Sequence, residues 1–401
     1  MGVDFGKLTT ASMLITTAMY MLIPTLPTSL SVEFGLTPAI IAAIMCIPGA
    51  TIFSLGPFCS FLTQKYRRNT VCIISICIIA ATLIATSYTM DESIIAGGYK
   101  ENAIILILSR GILGAFFGLS LMILNSTLII DCCSSPKRTQ ANAITAWIHL
   151  LSIPLGIILG IVTKRETNIQ DVFYISAGMC TIAVLLILSI RFPFKAPEET
   201  LKKVSLDRFL ATNSLPFIAS LLPLSVCLGL CLSNLTNIKS TTSFASGFII
   251  AILTLLASHH KGNKNERKFS VSKNGLSRTG LAGYLLLAIS VVIISQFDYM
   301  RHQGFHLILL CILGLSLTLV LSNIHLCLIE GADHCQRGSA ESSYFLTLEL
   351  GIYIGIFANI ITGNQNLNQQ TNRIAIPVLL LISAICYFFY IRRKVLSHLY
   401  E

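Results

Sequence analysis

Charge is scarce in this chain. Only 11% of its 401 residues are charged, against about 25% in an ordinary soluble domain. Hydrophobic residues make up 54%, and the mean hydropathy is +0.76. A soluble core cannot absorb that much apolar surface, so a water-soluble globular fold is excluded. Tryptophan occurs once, at Trp147, and Gln, Asn and aromatic groups are sparse near mid-helix, where a sugar site usually wants them. No nucleophile stands with a base, no His–acid spacing suits a metal, and no glycine loop suits a phosphate. The chain therefore reads as a non-enzyme with no metal and no other cofactor. Every loop is short, so no soluble domain is there to read out a signal. Cysteine is not scarce, with 13 residues, but most lie inside apolar runs. Cys132-Cys133 is a vicinal pair rather than C-x-x-C, and free thiols are the expectation.

What remains is a set of twelve apolar segments. They lie at about 9–31, 38–63, 70–89, 103–130, 140–163, 171–192, 209–235, 243–259, 276–296, 304–329, 338–362 and 374–391. Each is near the ~20 residues that cross a bilayer as a helix. Only helices and closed barrels satisfy their backbone in lipid, and these runs are too long and too evenly apolar for barrel strands. The first run carries Pro24 and Pro27 and lacks a small-residue cleavage site near its end, so it reads as an uncleaved span. The loop at 259–275 is the most polar stretch and reads as solvated.

Lys and Arg are unevenly shared between the two sets of alternate loops. One set, with both termini, holds 21 of the 28; the other holds Lys100, Lys164, Arg165, Lys239, Arg301 and Arg373. The remaining one, Arg110, lies inside a span. By the positive-inside rule both termini are cytoplasmic. The net charge of +10 then belongs to a membrane face, where anionic lipid suffices as partner and nucleic acid is not required.

Sliding the chain over itself by 199 residues aligns several features. Asp131 falls on Glu330, Arg138 on Arg337, Pro24 on Pro223, Lys65 on Lys264, Arg68 on Arg267, Ala141 on Ala340, Gly156 on Gly355 and Lys195 on Lys394. All sit at equivalent points of two six-helix halves in one ungapped register. The expected organisation is a bundle at 1–192, a linker at 193–208 and a second bundle at 209–401, in parallel topology about an axis along the membrane normal.

Four motifs carry a resemblance to a known family. Ser60 to Arg68 reads SFLTQKYRR between the second and third helices. Arg110-Gly-Ile-Leu-Gly114 lies in the fourth. Asp131-x6-Arg138 and Glu330-x6-Arg337-Gly338 follow the fourth and tenth. Pro154-Leu-Gly156 with Gly160 lies in the fifth. Together they resemble the major facilitator superfamily of secondary transporters, over essentially the whole chain. The first loop departs from the family's G-x-L-a-D-r-x-G-R: Ser60 stands for the first glycine, Gln64 for the aspartate and Arg67 for the second glycine. The resemblance implies that Lys65, Arg68, Asp131, Arg138, Glu330 and Arg337 form a cytoplasmic gate that latches the halves and releases as they rock. Gln64 cannot accept a salt bridge as aspartate would, which weakens that network.

Two intramembrane charges are the main pathway candidates. Arg110 lies seven residues from the outer end of its span, about 10 Å in. A buried arginine costs roughly 2.5–3.5 kcal/mol even on a mild scale, so it snorkels outward, anchors an anionic group or tunes the pKa of a nearby carboxylate. Glu349 lies about 16 Å from the inner end of the eleventh span. Burial disfavours the charged carboxylate, so Glu349 could bind and release a proton near neutral pH. Tyr353, at i+4, shares its face. Tyr20 and Asn125 are further pathway candidates, and His149, Asn323 and His325 are weaker ones. For each, a helix–helix hydrogen bond is an alternative, and for Asn323 and His325 a wet inner interface is sufficient reason.

The expectation is a monomeric, multi-pass transporter of the plasma or inner membrane. It works by alternating access and moves a small molecule coupled to protons, with efflux of amphiphilic compounds favoured. Proton-coupled uptake of a sugar or organic anion is the alternative. A transporter-derived sensor or scaffold is the alternative of another class.

Overall fold

The structure is a computed structural model. It describes residues 2–90, 99–192, 202–205, 209, 214–261, 268–269, 273–296, 303–332, 336–363 and 365–391. It is helical apart from two short strands, β1 (His260–Lys261) and β2 (Lys268–Phe269), which pair antiparallel within the polar loop. The helices, in chain order, are α1 (Val3–Val32), α2 (Pro38–Thr51), α3 (Gly56–Lys65), α4 (Arg68–Thr89), α5 (Tyr99–Ile123), α6 (Arg138–Glu166), α7 (Ile169–Leu188), α8 (Leu215–Ser233), α9 (Ile238–His259), α10 (Lys273–Gln296), α11 (Gln303–Glu330), α12 (Arg337–Ile361) and α13 (Gln365–Cys386). Each apolar segment of the sequence coincides with helix. Among the described residues, ten helical spans are long and apolar enough to cross a membrane, and α2 with α3 makes an eleventh if the bent pair counts as one. The last segment is different: its apolar part, Ala375–Phe389, is shorter. Most of the expected linker, with Lys195, lies outside the described residues, as do Lys264, Arg267 and Lys394.

Two departures from smooth helices have sequence causes. The second segment, read as one span, is two helices bent by 47°. Pro57, at the second position of α3, has no N–H to continue the hydrogen bonding of the preceding turn. The break is covered from a distance in sequence. Phe209 lies edge-on to Phe53, with ring centroids 5.8 Å apart, and a Cβ on Gly56 would come within 2.2 Å of the Phe209 ring. The fourth segment runs from α5 through a π-helical stretch, Leu124–Leu128, to Asp131. That extra backbone turn carries Asn125, and such bulges tend to mark functional positions.

Within the first half of the chain, α1 packs on α6 and α7, α5 on α2 and α4, and α4 on α7. Beyond residue 209, α8 packs on α12 and α13, and α11 on α9 and α10. The two sets meet where α12 crosses α2 and where α6 meets α9 and α11. Small residues set the closest approaches. A Cβ on Gly114 would sit 2.4 Å from the Cα of Pro48, and one on Gly160 would sit 2.3 Å from the carbonyl of Met21. These glycines bring α5 against α2 and α6 against α1, as small-residue faces do in membranes. Outside this packing a belt of apolar side chains is exposed, among them Ile74, Leu108, Leu185, Leu253, Leu285 and Leu381. That belt is the surface lipid would cover.

Gly111, one turn before Gly114, has room: its Cβ would meet only side-chain atoms at 3.7 Å or more. Gly114→Ala is expected to lower the thermal midpoint of the detergent-solubilised protein, by the equivalent of about 1–3 kcal/mol of overpacking, while Gly111→Ala leaves it unchanged. Equal midpoints for the two variants would show that the α5–α2 approach is not tight.

Candidate functional site

An interior carboxyl that joins the two halves of the chain is Glu349. It projects from the middle of α12, fully buried, and is held by two side chains from the first half of the chain. The Tyr20 hydroxyl of α1 donates to Oε2 at 3.0 Å. Nε2 of His149, from α6, lies 3.0 Å from Oε1. The other ring nitrogen, Nδ1, lies 3.3 Å from the Thr16 hydroxyl. Phe345, one turn before Glu349, packs edge-on to the His149 ring at 4.7 Å.

This arrangement can hold either one proton or two. With His149 protonated on Nε2 alone, it donates to the carboxylate while Nδ1 accepts from Thr16. With the carboxyl protonated, the acid donates to Nε2, and Nδ1–H donates to the Thr16 oxygen. Each arrangement satisfies the ring and the acid, as buried polar groups require. The two differ by one proton and no heavy-atom movement.

Arg110 lies on the far side of Tyr353. It is fully buried, so it does not snorkel. The Tyr353 hydroxyl lies beside the guanidinium and within electrostatic reach of Glu349. No hydrogen bond of full geometry joins Tyr353 to Arg110, and among the described residues all three guanidinium nitrogens lack a partner. Close packing fixes Tyr353 in place: a Cβ on Gly49 of α2 would fall 2.5 Å from its Cβ. Arg110, Tyr353, Glu349 and Tyr20 thus come together with His149 at the crossing of α1, α2, α5, α6 and α12. Asn125 is buried as well, but serves another contact, accepting from the Ser12 hydroxyl at 2.9 Å; its amide nitrogen lacks a partner among the described residues.

The gate candidates are only partly brought together. Arg68 and Asp131 form an ion pair at 2.5 Å, joining the start of α4 to the end of the fourth segment, within one half of the chain. Arg337 crosses to the other half, where Nη1 donates to the Thr139 hydroxyl at 3.5 Å. Lys65 is exposed and lies over the rings of Phe61 and Tyr66. Arg138 is exposed, and neither it nor Glu330 forms an ion pair among the described residues.

Two residues read differently in the structure than in the sequence. His325 needs no wet interface: it is fully buried, with Nε2 2.8 Å from Oε2 of Glu341. Glu341 is a functional candidate that the sequence reading missed. The short separation in sequence between the end of α11 at Glu330 and the start of α12 at Arg337 supplies the signal, because it sets the two helices antiparallel. His325 is five residues before Glu330 and Glu341 four after Arg337, so the two face each other at one depth. Asn323, by contrast, is a helix–helix tie, donating to the carbonyl of Leu276 and accepting from Tyr387, both at 2.6 Å.

A family model described as Major Facilitator Superfamily matches residues 8–356. No curated protein matches the chain. Among solved structures, a bacterial homologue of the iron transporter ferroportin in an outward-facing state aligns with a TM-score of 0.69 at 14% identity, covering 99% of this chain and 100% of that one. The human organic anion transporter MFSD10 (TETRAN) gives 0.62 at 14% identity, covering 97% and 99%. The nucleoside transporter NupG gives 0.59 at 14% identity, covering 97% and 100%. At this identity the likeness is one of fold.

The Arg68–Asp131 pair is open to solvent, with side chains 20% and 45% exposed. A double-mutant cycle of Arg68→Ala and Asp131→Asn is expected to give a coupling of only about 0–1 kcal/mol in thermal stability. A markedly larger coupling would make the pair part of a network.

Proposed function

We propose a proton-coupled transport cycle from one premise: the chain belongs to the Major Facilitator Superfamily. In this reading, bundles at 1–192 and 209–401 rock about the site between them, and both termini face the cytoplasm from the plasma or inner membrane. The observation that carries the proposal is the Glu349–His149–Tyr20 cluster, a buried acid–base pair built from both halves of the chain. A group placed there can exchange its proton with one side and then the other as the halves move. The contacts on the basic face, Arg68 with Asp131 and Arg337 with Thr139, serve as parts of the gate, with Lys65, Arg138 and Glu330 engaging in other states of the cycle.

Charge balance favours one substrate class. Arg110 and an ionised Glu349 offset each other across Tyr353. An anion held by the open N–H groups of Arg110 upsets that balance, and a proton on the Glu349–His149 pair restores it. In a low-dielectric site the balanced combination is strongly preferred, so anion and proton travel together. That is the logic of symport of a small organic anion. Efflux of an amphiphilic compound in exchange for protons is the second reading, favoured by the predominantly apolar lining of the spans.

The test uses proteoliposomes containing a pH-sensitive dye, challenged with pools of organic anions and of amphiphilic compounds. Substrate-driven proton flux is expected in the wild type and lost in Glu349→Gln, with counterflow exchange retained. Co-directional flux with an anion supports symport, and opposite flux with an amphiphile supports exchange. Gradient-driven flux that persists in Glu349→Gln would remove this carboxyl from the mechanism. Arg110→Gln is expected to abolish anion-driven flux alone; unaltered anion flux would sink the anion reading.

A further inference from the structure

The cycle described above uses one buried acid–base pair, and among the described residues there are two. His325 and Glu341 are each fully buried and lie 2.8 Å apart, Nε2 to Oε2. Unlike the Glu349 cluster, this pair is incompletely satisfied. Among the described residues, Nδ1 of His325 and Oε1 of Glu341 lack partners, and so do the neighbouring hydroxyls of Ser322 and Ser342. Two unmet polar atoms on the paired side chains are costly in a packed interior unless they take up something.

The pair's position suggests what that is. Glu341 lies one helical turn from the start of α12, and Glu349 two turns further along the same helix, about 12 Å away along the axis. The pair therefore lies between the Glu349 cluster and the basic face. One side chain, Phe345, stands between the two histidines, with its ring centroid 4.7 Å from that of His149 and 6.4 Å from that of His325. Phe345 carries no transferable proton, so it separates two polar sites that a rotamer change would join. Few other titratable groups bear on the pair. Tyr344 of α12 lies near Glu341, its ring is edge-on to His325 at 4.6 Å, and its hydroxyl is committed to the carbonyl of Leu321. Arg337 is turned toward Thr139, and Cys327 of α11 is near Glu330.

We infer that His325 and Glu341 form a second buried proton-binding site, a station between the Glu349–His149 pair and the basic face. A neutral imidazole beside a carboxylate leaves one buried negative charge, and binding a single proton neutralises it, whichever atom holds it. The proton received from Glu349 or His149 is held between Nε2 of His325 and Oε2 of Glu341, then released to the basic face. Nothing is oxidised or reduced, and each transfer leaves its donor one proton poorer. The role as a transport station rests on the proton-coupled reading above; the capacity to bind a proton does not.

Infrared difference spectra during a pH titration of the lipid-reconstituted full chain test the site without any substrate. Two titrating steps in carboxyl or imidazole modes are expected, one lost in Glu349→Gln and the other in Glu341→Gln, each variant keeping its partner's step. A titration unaltered by Glu341→Gln overturns the site, whatever the flux assay gives. In that assay, Glu341→Gln is expected to slow substrate-driven proton flux about tenfold or more while counterflow exchange stays within about twofold. Equal slowing of both would make the pair structural and overturn the station. Absence of coupled flux in the wild type, with two infrared steps intact, would instead remove the proton-coupled reading and leave the binding site standing.

Discussion

A carboxyl group buried at mid-membrane must be neutral, paired or fully hydrogen-bonded. Glu349 imposes that condition on this fold, and much of the interior can be understood as meeting it. Tyr20 and His149 reach it only because α1 and α6 pack closely, which the absence of a side chain at Gly156 and Gly160 allows. Tyr353 reaches toward Arg110 from the same face of α12 because Gly49 leaves room for its ring. The ionisable groups at the site come from both ends of the chain, so the site exists only when the two sets of helices are together.

The same condition links binding to motion. Moving α12 away from α1 and α6 would strip Glu349 of both partners at once, leaving an unpaired acid that favours the protonated form or solvent. A helix interface closed by such a group has two good arrangements and poor intermediates, which is the bistability that alternating access needs. The exposed charges at the basic face contribute less, since solvent screens them.

Much of this was legible in the sequence. Long apolar runs located the helices, because the bilayer sets their length. Arg110 and Glu349 stood out because a charge inside such a run is expensive wherever it points. The partners were harder to see. His149 and Tyr20 are ordinary residues for a span, and only packing distinguishes a ligand of Glu349 from a routine helix–helix tie such as Asn323. Glu341 was hidden for another reason: it lies one turn from a polar loop, and depth along a helix cannot be told from burial until the neighbouring helices are in place. The break at residues 52–55 was likewise hidden, because Pro57 interrupts the helix without interrupting its hydropathy.

Two contacts between the halves share a numerical property. His149 and Glu349 are 200 residues apart, and Thr139 and Arg337 are 198 apart, on either side of the 199-residue offset that relates the proposed repeats. In a two-fold arrangement, a position can touch its own counterpart only at the symmetry axis. On the proposed repeat, each contact falls one residue from a counterpart pair and so lies near that axis. In that register the counterpart of His149 is Leu348 and that of Glu349 is Leu150, neither of them ionisable. The acid and the base are thus features that neither half shares with the other, and the pair they form exists only where two unlike sets of helices meet.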